Sequence, residues 1–364
     1  MSAEKQNPSS TLSLRQVLEA GDEQLFSALK RLDDLERDFA GTESFEFRSA
    51  MPSDTVDSLV RAGAALQASG ITNQDQTASF VVPPETVAAH IYNVGRTANL
   101  LHAFRWTKKK AIAECLGTVK FSLDHDSLLP ALVLARTILE QIGTYALFHR
   151  DVSCLTPADE SPNAAGDWVL DVQHALIPRA MGTRIDWADY FSNSLKGKGR
   201  KGYKAKDGYF NLGAKDLLNG IDLIDKSVRG VRNAYEFLSE YGHPNYPSLQ
   251  LGVVSAELTP HRHGFRMLHK VYTGDRAPRF VVEEQRFLLR DVWELLVASL
   301  DHFLELDKKF ADIQKEVSKR THSWVRKALR KHSADTIFRY ADPCPCFSGK
   351  IVGCCCGKGV MRIH

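Results

Sequence analysis

Three apolar stripes at helical spacing constrain this chain more than any other feature. Leu128, Leu132, Ala135, Leu139, Ile142 and Ala146 recur at steps of three and four, the period of one face of an α-helix. Leu217, Ile221, Ile224, Val228, Val231, Tyr235 and Leu238 make a second stripe, and Leu289, Val292, Trp293, Leu296, Leu300 and Phe303 a third. Stripes of this length stay dry only against one another, so the expected fold is mainly α, an antiparallel helical bundle. Hydrophobic residues are 43% of the 364 positions, enough apolar material for a sizeable core.

The remaining elements are weaker signals. Thr11 or Ser13 is placed to cap a first helix reaching about Phe39, with Leu18, Leu25, Leu29 and Leu32 on one side. A short helix is expected after Ser53, a polar loop from Ser69 to Ser79, and a further helix near Pro84. The segments HGFRMLHKVY and PRFVVEEQ flank a Thr-Gly-Asp turn, and either pair as a small β-hairpin or bridge two helices. The resulting division is an N-terminal helical region with a disordered start (1–80), a bundle (81–318), a basic helical stem (319–340) and a terminal module (341–364).

The N-terminus carries no apolar h-region, and the most apolar run, SLLPALVLA, is far shorter than the ~20 residues of a membrane span. The expected location is therefore cytoplasmic, with no membrane partner. A net charge of +3 excludes a generally basic nucleic-acid coat but leaves room for local patches. No catalytic serine triad, P-loop or H-E-x-x-H pattern is present.

Five of the seven cysteines fall between Cys344 and Cys356. Cys115 and Cys154 stand alone in helical context and are expected to be buried, inert thiols. In the tail, Cys344, Cys346, Cys355 and Cys356 form C-x-C-x8-C-C around a Ser-Gly turn. A reducing compartment disfavours disulfides, so the pattern points to a metal. Four thiolates suit tetrahedral Zn²⁺, and a segment this short needs the ion to order it, a contribution of about 10 kcal/mol or more. Cys354 is an alternative to Cys355 as ligand.

This segment resembles the SEC-C zinc module, named for the tail of the bacterial preprotein-translocation motor SecA. Asp342, Pro343, Cys344, Pro345, Cys346, Ser348, Gly349, Lys350, Cys355, Cys356 and Gly357 carry the likeness. Phe347 departs from it, standing where the module has glycine, and Ile351–Cys354 replaces its basic and aromatic stretch. The resemblance implies a closed, structural zinc site on a small knob that docks a partner, such as a chaperone protein or the ribosome.

Leading into the tail, Lys319, Arg320, Arg326, Lys327, Arg330 and Lys331 have no acidic neighbour between them. As a helix, this stem either approaches RNA or an acidic protein surface through residues such as Arg326 and Arg330, or is a solvated face with Trp324, Ala328 and Leu329 packed inward. Residues 195–206 form a second basic run. Its Lys196, Lys198, Arg200 and Lys201 are candidate nucleic-acid contacts, and Tyr203 is available for stacking. The G-x-G-x-x-G at Gly197, Gly199 and Gly202 lacks the strand and helix a dinucleotide site requires.

Arg136 and Glu140 are four apart in an apolar helix and are expected to pair with each other or with a neighbouring helix. With the L-S-E-Y-G-H-P helix end, this R-T-I-L-E helix resembles a bacterial helical family of unknown function. Arg232-Asn233 followed by His243 is similar to the arginine and histidine pair of HEPN helical RNases, where the arginine would stabilise phosphate charge and the histidine transfer a proton. His243 comes later than that pattern places it, about 16 Å along a straight helix axis from Arg232. Catalysis by Arg232 and His243 is the alternative to an interaction function.

Overall fold

The computed structural model describes residues 13–19, 22–40, 50–51, 80–81, 91, 94–125, 127–155, parts of 168–176, 214–242, 253–271, 277–331 and parts of 338–361. Among these, helices α1 (Leu14–Glu19), α2 (Glu23–Ala40), α3 (Thr97–Asp124), α4 (Leu128–Ser153), α5 (Ala214–Asp225), α6 (Val231–Gly242) and α7 (Ala277–Lys331) dominate. The protein is mainly helical, as the stripes imply. The expected short helix after Ser53, the loop at 69–79 and the helix start at Pro84 lie outside the described residues.

The stripes are buried where the period places them. Leu128, Leu132, Ala135, Leu139, Ile142 and Ala146 of α4 are buried, as are Leu289, Val292, Trp293, Leu296, Leu300 and Phe303 of α7. The helix α4 is long enough to span a membrane and has an 18-residue window of mean hydropathy 1.2, but 67% of that window is buried within the protein.

Two stripes are interrupted without losing phase. The first helix is really α1 and α2. Ser13 Oγ accepts from the Gln16 N–H while Gln16 Oε1 accepts from the Ser13 N–H, a reciprocal cap on α1. Asp22 Oδ1 then accepts from the N–H groups of Gln24 and Leu25, opening α2. The second stripe is likewise cut into α5 and α6. Gly230 turns the chain with φ +104°, and Asp225 Oδ1 accepts from the N–H groups of Gly230 and Arg232, both at 2.9 Å. In each case a capping aspartate supplies the acceptor that a new helix start requires.

The hairpin forms with a different partner from the one expected. Strand β3 (Val253–His261) pairs antiparallel with β4 (Gly264–Val271), His261 opposite Gly264, across a turn at Arg262 and His263. HGFRMLHKVY thus supplies β4, whereas PRFVVEEQ lies in the first turns of α7. Two-residue parallel pairing also joins β1 (Ala50–Met51) to β2 (Phe80–Val81).

The chain divides into two compact units. The first comprises Met1–Thr42, Lys108–Leu147 and Asp216–Glu305, the second Glu43–Thr107, Phe148–Lys215 and Leu306–His364. In the first, the Phe303 ring lies 5.6 Å from Phe39 and 4.6 Å from Tyr145. Arg136 pairs with Glu140 (3.2 Å), and Glu140 also accepts from the Tyr235 hydroxyl of α6 (3.0 Å). Both expected outcomes for that pair therefore hold at once. In the second unit, Phe148 meets Phe104 edge to face at 5.1 Å between centroids and stacks on Phe310 at 5.2 Å. Beside them Arg105 makes two 2.9 Å hydrogen bonds to the buried Asp307 carboxylate. Gln314 accepts from Arg105 and lies 3.2 Å from His102 Nδ1. An ion pair taken out of water needs such bidentate geometry to offset desolvation.

Backbone proximity sets the packing of α4 on α5. A Cβ at Gly220 would stand 2.5 Å from the Gly143 carbonyl oxygen, whereas one at Gly117 of α3 would meet nothing closer than 3.7 Å. Gly220→Ala is expected to lower stability by about 1–3 kcal/mol through overpacking. Gly117→Ala should leave it unchanged or raise it by up to about 1 kcal/mol through helix propensity. Thermal unfolding followed by circular dichroism checks both, and equal effects would contradict the close approach.

Candidate metal centre

The tail is seated on the last turns of α7. Val325 and Leu329, four apart on one side of the helix, are buried with Ile91, Phe338, Cys344, Val352, Cys356 and Met361. Trp324, Ala328 and Tyr340 pack against the same cluster. On the other side, Lys319, Arg326, Lys327, Arg330 and Lys331 are exposed, while Arg320 is half-buried, paired with Glu316 and lying 5.1 Å from the Trp168 ring centre. The stem is thus apolar toward the tail and basic toward solvent.

Backbone hydrogen bonds lace the two cysteine-bearing ends of the tail together. The Cys344 N–H donates to the Lys350 carbonyl (2.8 Å), the Val352 N–H to Asp342 (2.7 Å) and the Gly353 N–H to Tyr340 (2.9 Å). Val352–Cys354 then forms one 3₁₀ turn, in which consecutive side chains diverge by about 120°. The turn ends at Cys354 and Cys355 leaves helical backbone (φ −120°, ψ −111°), so the three adjacent cysteines take different bearings. Cys354 is exposed, its Sγ 3.9 Å from the Tyr340 hydroxyl, Cys355 is half-buried and Cys356 is buried. Cys355, not Cys354, joins the cluster. The expected turn residues Ser348 and Gly349 lie outside the described residues.

The sulfurs converge. Cys346 Sγ donates to Cys344 Sγ at 3.3 Å and lies 3.5 Å from Cys355 Sγ. Cys356 Sγ lies 3.3 Å from Nδ1 of His322, on α7. Ligand atoms of His322, Cys346, Cys355 and Cys356 all fall within 4.8 Å of one another, so this cluster can hold a metal ion. Hydrogen bonding with Cys346 pushes the Cys344 thiol up to about 12. Hydrogen bonds to Cys344 and Cys346, and then burial, push the Cys356 thiol upward as well. Thiols crowded this way hold their protons until a cation offsets the charge, so metal binding must release them.

His322 is the donor that sequence reasoning missed. Its signal is its spacing to Val325 and Leu329, which puts it on the stripe of α7 that faces the tail. Of the lone cysteines, Cys115 is half-buried, with burial first and then the Glu114 charge pushing its thiol upward, but Cys154 is exposed, contrary to expectation. It sits just past the end of α4, where the helix no longer shields it.

Of the other candidate residues, Arg232, Arg326 and Arg330 fall among the described residues. Lys196, Lys198, Arg200, Lys201 and His243 lie outside the described residues. Arg232 contacts Asp222 at 2.9 Å and Glu236 at 2.7 Å, so its guanidinium is shared between two carboxylates. Comparison with protein-family models, with curated proteins and with solved structures finds no match to this chain.

The tail also rests on backbone. A Cβ at Gly95 would fall 1.6 Å from the Pro345 carbonyl oxygen, between Cys344 and Cys346. Gly95→Ala is therefore expected to shift that loop and weaken metal binding about tenfold or more, the scale on which support for ligands acts. Competition with a chromophoric chelator measures this; unchanged affinity would show that the loop is held elsewhere.

Proposed function

We propose that this is a zinc-binding interaction protein of the cytoplasm, whose SEC-C-like C-terminal module and adjoining basic helix face dock a ribonucleoprotein such as the ribosome. The observation that carries the reading is the placement of the donor cluster. It sits against one side of the end of α7, while the opposite side presents Lys319, Arg326, Lys327, Arg330 and Lys331 to solvent.

Soft thiolate donors favour zinc among abundant divalent ions. Enough protein donors are present to saturate a tetrahedral ion, which leaves no position for a substrate and makes the site structural rather than catalytic. Its role is then to fix the tail on the helix and hold the basic face in one register. A row of cations on a rigid helix suits a phosphate backbone, and each phosphate neutralised adds a salt-dependent increment of about 0.7–0.9 to the slope of log affinity against log salt.

Co-sedimentation of the full chain with purified ribosomes across a salt series tests this. Binding is expected to weaken steeply with salt. Arg326→Glu with Arg330→Glu should cost at least tenfold and flatten the slope by about 1.5, the share of two phosphate contacts. Removing zinc should weaken binding as well. Absence of binding at low salt would refute the ribonucleoprotein partner, and binding insensitive to the charge reversals would refute the role of the helix face.

A further inference from the structure

We propose that α7 carries a straight cationic row fitted to the backbone of double-stranded RNA, bound through its shape and charge rather than its sequence. This deepens the ribonucleoprotein reading and rests on it.

Lys308, Lys315, Lys319, Arg326 and Arg330 follow one another along α7 at steps of seven, four, seven and four. Those steps keep them in one line, because six turns of helix take about 22 residues. At 1.5 Å per residue the row is about 33 Å long. All five residues are exposed and belong to one compact unit. Lys308 and Lys315 carry the row well beyond the basic stem.

These cations differ from those of the other helices. Arg15, Arg31, Arg105, Arg136 and Arg232 each engage a carboxylate. In the row, Lys308, Lys319, Arg326 and Arg330 have no carboxylate partner among the described residues. Asp312 pairs with Lys315 at 3.3 Å, but the two side chains are 78% and 79% exposed, so a phosphate can displace it at little cost. Lys315 with Lys319, and Arg326 with Arg330, are like charges four apart, an arrangement that destabilises a helix. A polyanion laid along the row relieves that repulsion.

The form of the polyanion follows from the shape of the surface. Single strands are held largely by aromatic side chains that stack their bases. No phenylalanine, tyrosine or tryptophan is exposed from Lys308 to Lys331: Phe310 is buried and Trp324 is half-buried against the tail. A straight rod cannot follow one coiling backbone, but it can lie across a groove and meet phosphates of both strands. Exposed Ser318 and Ser323 flank the row, hydroxyls suited to the 2′-hydroxyls of the wide minor groove of an RNA duplex. Lysine and arginine on phosphate fix position without reading bases.

Fluorescence anisotropy of the zinc-loaded full chain with a labelled RNA duplex of about 16 base pairs tests this. The duplex should bind at least tenfold tighter than either strand alone or than the DNA duplex of the same sequence, and a duplex of shuffled sequence should bind equally well. Lys308→Glu with Lys315→Glu should weaken binding at least tenfold and lower the salt slope by about 1.5, the share of two phosphates. Lys226→Glu, on an exposed residue just past α5, should leave binding unchanged. Circular dichroism verifies that each variant keeps its fold. Absence of duplex binding, preference for a single strand, equal affinity for duplex DNA, or indifference to the paired reversal would overturn this assignment. Ribosome binding that still depends on Arg326 and Arg330 would then leave the docking reading standing. Failure to bind both the RNA duplex and ribosomes would overturn both.

Discussion

A tail of this size buries too little apolar surface to hold its own shape, so its order depends on donors that meet at one point. Everything about the C-terminal end follows from that constraint. The backbone hydrogen bonds from Cys344, Val352 and Gly353 bring two distant stretches of tail side by side. The Gly95 backbone leaves room for the Pro345 carbonyl, and Val325 with Leu329 gives the loop an apolar seat. Each contact is modest; together they place sulfurs within ligand distance.

The helical part obeys a different constraint. There the burial of long apolar faces is the main driving force, and several of the charged side chains that enter it are paired into networks. Arg105 with Asp307 and Gln314, and Arg136 with Glu140 and Tyr235, are such cases. Removing one member would strand a buried charge, so these networks restrict which helix can lie beside which. Arg232 fits the same pattern on a more exposed site, its guanidinium shared between the Asp222 and Glu236 carboxylates.

Much of the architecture is readable from residue order. The α4 and α7 stripes stand out because a period near 3.6, sustained over many residues, suits one face of a helix and no strand. The tail cysteines stand out because ligand type and spacing agree. The breaks at Asp22 and Asp225 are hidden, because the apolar phase runs through them and only side-chain caps reveal a new start. The hairpin's second strand is misplaced by sequence alone, because a weak alternation in PRFVVEEQ also suits a helix and the true partner lies upstream. His322 escapes notice because it sits in a run dominated by charge, far in sequence from the cysteines. Its role depends on tertiary proximity, which no local pattern records.

Three cysteines in succession beside a tight helical turn act like the marks on a dial. Cys356 points inward, Cys355 sits at the margin, and Cys354 looks out beside Tyr340. Deleting one residue from the turn that leads into them would shift the register in which these cysteines leave it, bringing a different sulfur to each bearing. A chain with the same cysteine count would then offer the ion a different set of atoms. Inheritance of this tail is therefore bound to the length of the segment between its cysteine pairs as firmly as to the cysteines themselves.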